Sequence, residues 1–264
     1  MTDELQTYYH DHWVHVEPER MARYEVMFQW RDSHEALIAP AEIGAGQVVA
    51  DYGCGPGALA IELARRVGES GTVWALDINP EFLDRTRLYA ELEGLSPRVI
   101  TQLVEAGSIP LANTSVDRVV CKNVLEYVAD PAATICEFHR VLRPGGIAHV
   151  SDSDWGTIVL EPLGDRLTPI MTAARVAFKT PFIGRHLYGM FRRAGFRDIR
   201  LQVLVNADTT GAMRAVLRNM VGYARVSGQV AEAELNAFLA DVDRAVDEQT
   251  YLALLPQFLV TGCV

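Results

Sequence analysis

The chain has 264 residues, with 34 acidic against 24 basic side chains and a formal net charge of −10. That balance argues against a protein that lives on phosphate backbones, because nonspecific nucleic-acid affinity comes from Lys and Arg neutralising phosphates. A hydrophobic share of 49% is ample for a core, and the length suits one α/β domain with a cap or insertion. Four scattered cysteines, Cys54, Cys121, Cys136 and Cys263, lack CxxC spacing and read as reduced structural thiols. There is no charged-then-apolar leader and no apolar run of about 18 residues, so a cytoplasmic protein with no membrane partner is expected.

Residues 1–45 precede the first sheet strand and carry an aromatic load: Tyr8, Tyr9, Trp13, Tyr24, Phe28 and Trp30. Met21, Tyr24 and Phe28 follow helical spacing with charged residues between them, which predicts an amphipathic helix. It either packs plainly on the domain or forms a lid over a ligand site. His10, His12 and His15 lie here without carboxylate or cysteine partners at ligand spacing, so no metal site is expected. One of them could serve as a general base.

Val48–Gly57, reading VVADYGCGPG, organises the chain. A β-branched run ends in Asp51; Gly53, Gly55 and Gly57 follow, and Ala58 to Ala64 reads as a helix. Strand, glycine turn and helix form the first unit of a doubly wound sheet, whose ligands sit at the carboxyl ends of strands. Alternate glycines let the backbone take positive φ and let a ligand touch the main chain, and the helix N-terminus favours an anionic group. Gly53, Gly55 and Ala58 also satisfy the GxGxxA of a dinucleotide site, so the turn alone does not decide between ligands.

Val73–Asp77 is a second strand ending in an acid. Asn79 and Pro80 supply the cap and first position of the next helix, leaving Asp77 for ribose hydroxyls. That helix stops at Gly94. A third strand, Val99–Val104, leads into Glu105-Ala106-Gly107-Ser108-Ile109-Pro110. A fourth, Ser115–Lys122, exits through Asn123-Val124-Leu125-Glu126-Tyr127. Asp130-Pro131 opens a helix that closes with Arg140-Val141-Leu142-Arg143-Pro144-Gly145-Gly146, and Ile147–Ser151 is the fifth strand. Helices are then expected over 165–179, 183–194, 213–226 and 232–246. Leu235, Phe238, Leu239, Val242 and Val246 form the buried stripe of the last. Ile199–Val205 and Phe258–Val264 are strands six and seven, with Tyr251–Leu255 as the approach to the seventh.

Four marks therefore occur in order: the acid followed by GxGxG, the strand-two acid, the acid four residues before Ile-Pro, and the RVLRPGG close before a hydrophobic strand. Together they resemble class I S-adenosylmethionine (SAM)-dependent methyltransferases, nearest the small-molecule branch that includes ubiquinone and menaquinone-biosynthesis methyltransferases. The likeness is strong over roughly residues 45–152 and loose beyond. It implies an α/β, Rossmann-like sheet of seven strands, mostly parallel with the last antiparallel, helices on both faces and a helical cap. Residues 1–45 would be the lid and 46–264 the methyltransferase domain, with cap insertions around 155–190 and 208–248. SAM would be the cofactor and S-adenosylhomocysteine its product.

The resemblance assigns cofactor contacts to Asp51, Gly53, Cys54, Gly55, Gly57, Asp77, Ile78, Glu105, Ala106, Gly107, Asn123 and Val124. Glu105 stands where the family usually has Asp, so the backbone at Ala106 is the firmer adenine contact. Enzymes acting on exocyclic base amines typically place (Asn/Asp)-Pro-Pro-(Tyr/Phe) after strand four. Lys122-Asn123-Val124-Leu125 departs from that, and from the Asp of metal-dependent relatives, so neither a base-amine acceptor nor a metal is expected. Tyr9, His10 and Glu126 are the catalytic candidates, with His12, Tyr127, Asp152 and Asp154 near the expected mouth. The expected reaction is in-line methyl transfer to a small-molecule acceptor. A noncatalytic SAM-binding protein, or a methyltransferase of protein or nucleic acid, is the alternative. A homodimer contact is a further role open to the outer helices.

Overall fold

A computed structural model describes residues 3–105 and 107–264. The order of elements begins with three helices, α1 (Asp3–Val14), α2 (Pro18–Met27) and α3 (Glu35–Ile38). The alternating core follows as β1 (Val48–Tyr52), α4 (Ala58–Val67), β2 (Thr72–Asp77), α5 (Pro80–Leu92), β3 (Val99–Leu103), β4 (Val116–Lys122), α6 (Pro131–Val141) and β5 (Leu142–Ser153). The rest comprises β6 (Val159–Glu161), α7 (Gly164–Ala174), α8 (Ile183–Arg193), β7 (Arg197–Leu204), α9 (Arg214–Ser227), α10 (Glu232–Asp247), β8 (Leu252–Leu254) and β9 (Gln257–Cys263).

Seven strands form one sheet in the order β3-β2-β1-β4-β5-β9-β7. The pairs from β3 to β5 are parallel, and β9 runs antiparallel to both β5 and β7. Strand order reverses at β1, between β2 and β4, which places a crevice at the carboxyl ends of those strands. The side-chain alternation of the strands gives the sheet two cores. Ala50, Tyr52, Leu76, Val119, Cys121, Ala148 and Val150 face α6 and α8 in one. Val49, Val73, Ala75 and Val120 face α4 and α5 in the other. The buried His149 is held neutral on the second face, its Nε2 2.7 Å from the Leu37 carbonyl and its Nδ1 2.9 Å from Thr261 Oγ1.

A third core belongs to the roof. Leu160, Leu167, Ile170, Phe178, Leu217, Met220, Val221, Phe238, Val242 and Ala253 bury one another under α7, α9 and α10. Each fully buried Leu, Ile or Phe contributes about 1.5–3 kcal/mol relative to exposure, so this roof is a packed body. Two expectations change here. Tyr251–Leu255 does not lead strand seven along the main sheet: β8 pairs with β6 as a separate antiparallel ribbon, because Leu160 and Ala253 are both buried in the roof core. Residues 183–190, expected inside the first insertion, open α8, whose Ile183, Leu187 and Phe191 pack into the sheet's core.

The aromatic N-terminal segment also packs in two directions. Met21 and Tyr24 of α2 bury against Phe82 of α5, while the Tyr24 hydroxyl meets that of Tyr223 on α9 at 3.3 Å. Thus α2 bridges the sheet domain and the roof.

Candidate active site

The crevice at the switch point is a cavity of about 310 Å³, open on one side. Its floor is the glycine turn. Gly53 N and Cys54 N both donate to the Leu76 carbonyl, at 2.8 and 3.0 Å, and Gly57 N donates to the Cys54 carbonyl at 3.1 Å. These bonds lock the turn to β2. All three glycines take positive φ, 75° at Gly53, 55° at Gly55 and 94° at Gly57, a region costly for residues with a Cβ. Their surroundings differ. A Cβ on Gly53 would lie 2.3 Å from Val124 Cγ2, and one on Gly57 would lie 2.9 Å from the Thr86 Cα. At Gly55 no atom lies within 4 Å of that position, so this glycine leaves its face of the cavity bare.

Asp77 stands beside the turn, its Oδ2 accepting from Gly55 N at 2.8 Å and its Oδ1 from Asn79 N at 2.9 Å. It is therefore not wholly free for a ligand: the N–H groups of Gly55, Asn79 and Ile78 already draw on its oxygens, which keep only part of their acceptor capacity. Asn79 caps α5 as expected, accepting from Glu81 N and Phe82 N. Burial raises Asp77 to about 6, against the pull of those N–H donors. Asp51, 1% exposed, is raised to about 8 by burial first and by Asp77 second. Its Oδ2 and the Asn123 Oδ1 are buried without a hydrogen-bond partner among the described residues. Orphaned acceptors beside a bare glycine suit a ligand with cationic or N–H and O–H donor groups.

Asp51, Gly53, Cys54, Gly55, Asp77, Ile78, Asn123 and Val124 all line this wall. Gly57 lies behind it as the N-cap position of α4. Glu105 is exposed and off the wall; Val104 lines it instead. Gly107 N is taken up by the Tyr52 hydroxyl at 2.8 Å, and Ala106 lies outside the described residues. Among the catalytic candidates, His10 and Glu126 line the cavity. Tyr9 does not; its ring faces the Lys179 ammonium, 5.2 Å away. His12 is buried behind the wall, bonded through Nδ1 to the Tyr8 carbonyl, and burial lowers it to about 4.

Glu126 is 2% exposed and accepts from Trp155 Nε1 at 2.6 Å. Burial first, and then the neighbouring Asp152, hold its carboxyl well above the usual range. Asp152 and Asp154, expected near the mouth, do not line the cavity. Asp152 fixes the exit of β4 by accepting from Val124 N and Leu125 N, at 3.3 and 3.0 Å. Asp154 accepts from Gly156 N and pairs with the Arg185 guanidinium at 2.6 Å.

Of the remaining wall residues, Trp13, Tyr24 and Phe28 belong to the aromatic segment read as a lid or a packed helix, and the others were not singled out from sequence. Trp13, Tyr24, Met27, Phe28 and Phe82 close one side, and Val216, Asn219, Met220 and Tyr223 of α9 another, with Lys122, Leu255 and Gln257 completing it. The spacing 216, 219, 220, 223 is one helical face and was visible in the chain; what faced it was not.

A methyltransferase-domain family profile matches residues 43–195. The ubiquinone biosynthesis O-methyltransferase of Acinetobacter baylyi is 31% identical over 221 residues, covering 75% of this chain and 86% of that protein. Methyltransferase GfsG of Streptomyces halstedii is 35% identical over 118 residues, 45% of this chain and 42% of that protein; the chain spans less than half the length of several such curated relatives. Among solved structures, phosphoethanolamine N-methyltransferase 2 of Haemonchus contortus, in complex with S-adenosyl-L-methionine, superposes with a TM-score of 0.66 at 14% identity over 97% of this chain and 59% of that one, which speaks to the fold. The chain belongs to the methyltransferase-domain family. Within it, this is a member of the class I SAM-dependent group, as the four sequence marks implied.

Proposed function

We propose that this protein transfers the methyl group of SAM to a small-molecule acceptor held beneath the helical roof, acting in the cytoplasm and not on nucleic acid. The observation that carries the reading is one cavity shared by two walls: the bare Gly55 with Asp51, Asp77 and Asn123 on one side, and the aromatic roof on the other. SAM supplies a methyl group on a sulfonium, already an activated leaving group. The protein's main contribution is then orientation and exclusion of water.

In this reading Asp51, Gly53, Cys54, Gly55, Asp77, Ile78, Asn123 and Val124 hold the cofactor directly. Gly57 shapes the turn, and Glu105 and Gly107 belong to the adenine side. Residues 1–45 act as the lid, and the segments around 155–182 and 208–248 as the roof. His10 is the wall group placed to take a proton from an acceptor, and Glu126, whose carboxyl burial favours in its protonated form, is a hydrogen-bonding contact for it. Tyr9 has no such position.

Incubation with tritiated-methyl SAM and a cell extract, separated afterwards into small-molecule and precipitable fractions, tests the proposal. Label should enter the small-molecule fraction. Label confined to precipitable protein or nucleic acid would overturn the acceptor class; SAM binding with no transfer to either would favour a noncatalytic binder.

A further inference from the structure

Resting on the methyl-transfer reading of this cavity, we infer that Lys122, with the ring N–H of His34 beside it, is an anion-recognition point. It takes a carboxylate-class group of a bound molecule: the carboxylate on the amino-acid end of SAM, or an acid group on the acceptor.

Strand register places the lysine. Lys122 closes β4, two residues beyond Val120, which pairs with Asp51 on β1 and His149 on β5; its own partner on β5 is Ser151. Residues two apart on a strand share a face, so Lys122 stands on the face that carries Asp51 and His149. It lines the cavity with Asp51 and Asn123 and is half-buried, which leaves part of its side chain open to a ligand. The N-terminal segment crosses this same face. His149 Nε2 meets the Leu37 carbonyl of α3 at 2.7 Å, and His34 lies one helical turn before Leu37. His34 Nδ1 accepts from Arg31 N at 3.3 Å, so the proton of its neutral ring sits on Nε2. The charges that act on His34 are those of Lys122 and Arg31, both positive.

The donors gathered here lack acceptors. Among the described residues neither Lys122 Nζ nor His34 Nε2 has a hydrogen-bond or ion-pair partner, and the Ser151 hydroxyl is buried without one. Asp152, Asp51 and Glu126 are the acids around Lys122, yet none pairs with its amine. Asp152 accepts from Val124 N and Leu125 N, and Glu126 from the Trp155 indole. Burial also favours the protonated form of all three, pushing Asp51 up to about 8, Asp152 to about 7 and Glu126 well above its ordinary range. Lys122 is itself lowered by burial, against the pull of these acids, and an anion in the cavity would favour its ammonium form. A cation withdrawn from water without a counter-ion is costly. A bound carboxylate removes that cost and gives the amine and the imidazole N–H their missing acceptor.

The test uses the full-length protein and calorimetry. SAM is compared with decarboxylated SAM, which keeps the sulfonium and the ammonium, and benzoate is titrated into protein saturated with S-adenosylhomocysteine. Lys122→Met keeps most of the stem and removes the charge; Lys122→Arg keeps the charge. If the anionic group is the cofactor's, the wild type should prefer SAM over decarboxylated SAM at least tenfold. Lys122→Met should then lose most of that preference and Lys122→Arg should retain it. If the group is the acceptor's, both variants should bind SAM as the wild type does, and benzoate should bind the loaded wild type at least tenfold more tightly than loaded Lys122→Met. Should Lys122→Met not melt cooperatively, His34→Phe, which keeps a ring and removes the N–H, should lower the same preference or the same benzoate affinity at least twofold. If neither comparison separates the wild type from the folded variant, the inference is overturned and the methyl-transfer reading stands. Failure of the wild type to bind SAM at all would overturn both.

Discussion

Replacing the three glycines of the turn by alanine, one at a time, should give three different failures. Each substitution forces a Cβ into a positive-φ position, which costs about 1–2 kcal/mol. At Gly55 that is the whole folding cost, since the new methyl meets no atom within 4 Å. At Gly57 the methyl would lie 2.5 Å from Thr86 Oγ1 and 2.9 Å from its Cα. Overpacking of that kind adds about 1–3 kcal/mol, and a backbone atom of α5 gives way little, so the total is about 2–5 kcal/mol. At roughly 2–4 °C per kcal/mol for a chain of this size, Gly57→Ala should melt about 4–20 °C lower and Gly55→Ala about 2–8 °C lower. Gly53→Ala falls between, because the atoms it meets belong to the Val124 side chain; adding Val124→Ala should restore part of the loss. Affinity for SAM should rank the other way. Gly55→Ala fills the bare face and should lose at least tenfold by titration calorimetry, while staying folded. If Gly55→Ala bound SAM as the wild type does, or if its melting loss matched that of Gly57→Ala, the division of labour drawn from the turn would be refuted.

SAM affinity should rise between pH 6 and pH 8. Asp51 and Asp77 are raised to about 8 and about 6, so a cationic ligand must first drive their protons off, and each ionisation contributes up to tenfold per pH unit below its pKa. Calorimetry in two buffers of different ionisation enthalpy should show proton release, with a shallower pH slope for the uncharged sulfur of S-adenosylhomocysteine. His149 should make stability, like SAM affinity, rise with pH. Burial lowers it from 6.5 to about 4, so the unfolded chain takes up its proton first and this residue's contribution is lost as pH falls through that window. His149→Gln should cost about 1–3 kcal/mol near pH 7, by leaving Leu37 or Thr261 unpaired. Its deficit against wild type should shrink towards pH 4 in parallel urea titrations.

The glycine-turn side of the site was legible because it is local. Asp51 to Gly57, Asp77 and Asn123 each sit at the end of a strand whose β-branched run and Gly, Pro or Asn punctuation can be read directly. Parallel pairing then brings those ends together without further information. The roof side was not legible as a wall, because it is assembled from remote pieces: Trp13, Trp155, Tyr223 and Gln257 line one cavity only once α1 and α2 are packed and β9 has inserted between β5 and β7. The same distance in sequence hid the pairing of β6 with β8. Asp152 and Asp154 misled for a different reason. An acid after a strand looks alike whether it faces a ligand or the backbone N–H groups of the next loop, and here it is the loop that uses both.

Titration of SAM into wild type and Asp77→Ala tests the assignment most directly. A single saturable site in the wild type, weakened at least tenfold when this carboxylate is removed from a chain that still melts cooperatively, is the predicted result. Absence of saturable heat in the wild type, or equal affinity in the folded variant, would contradict it.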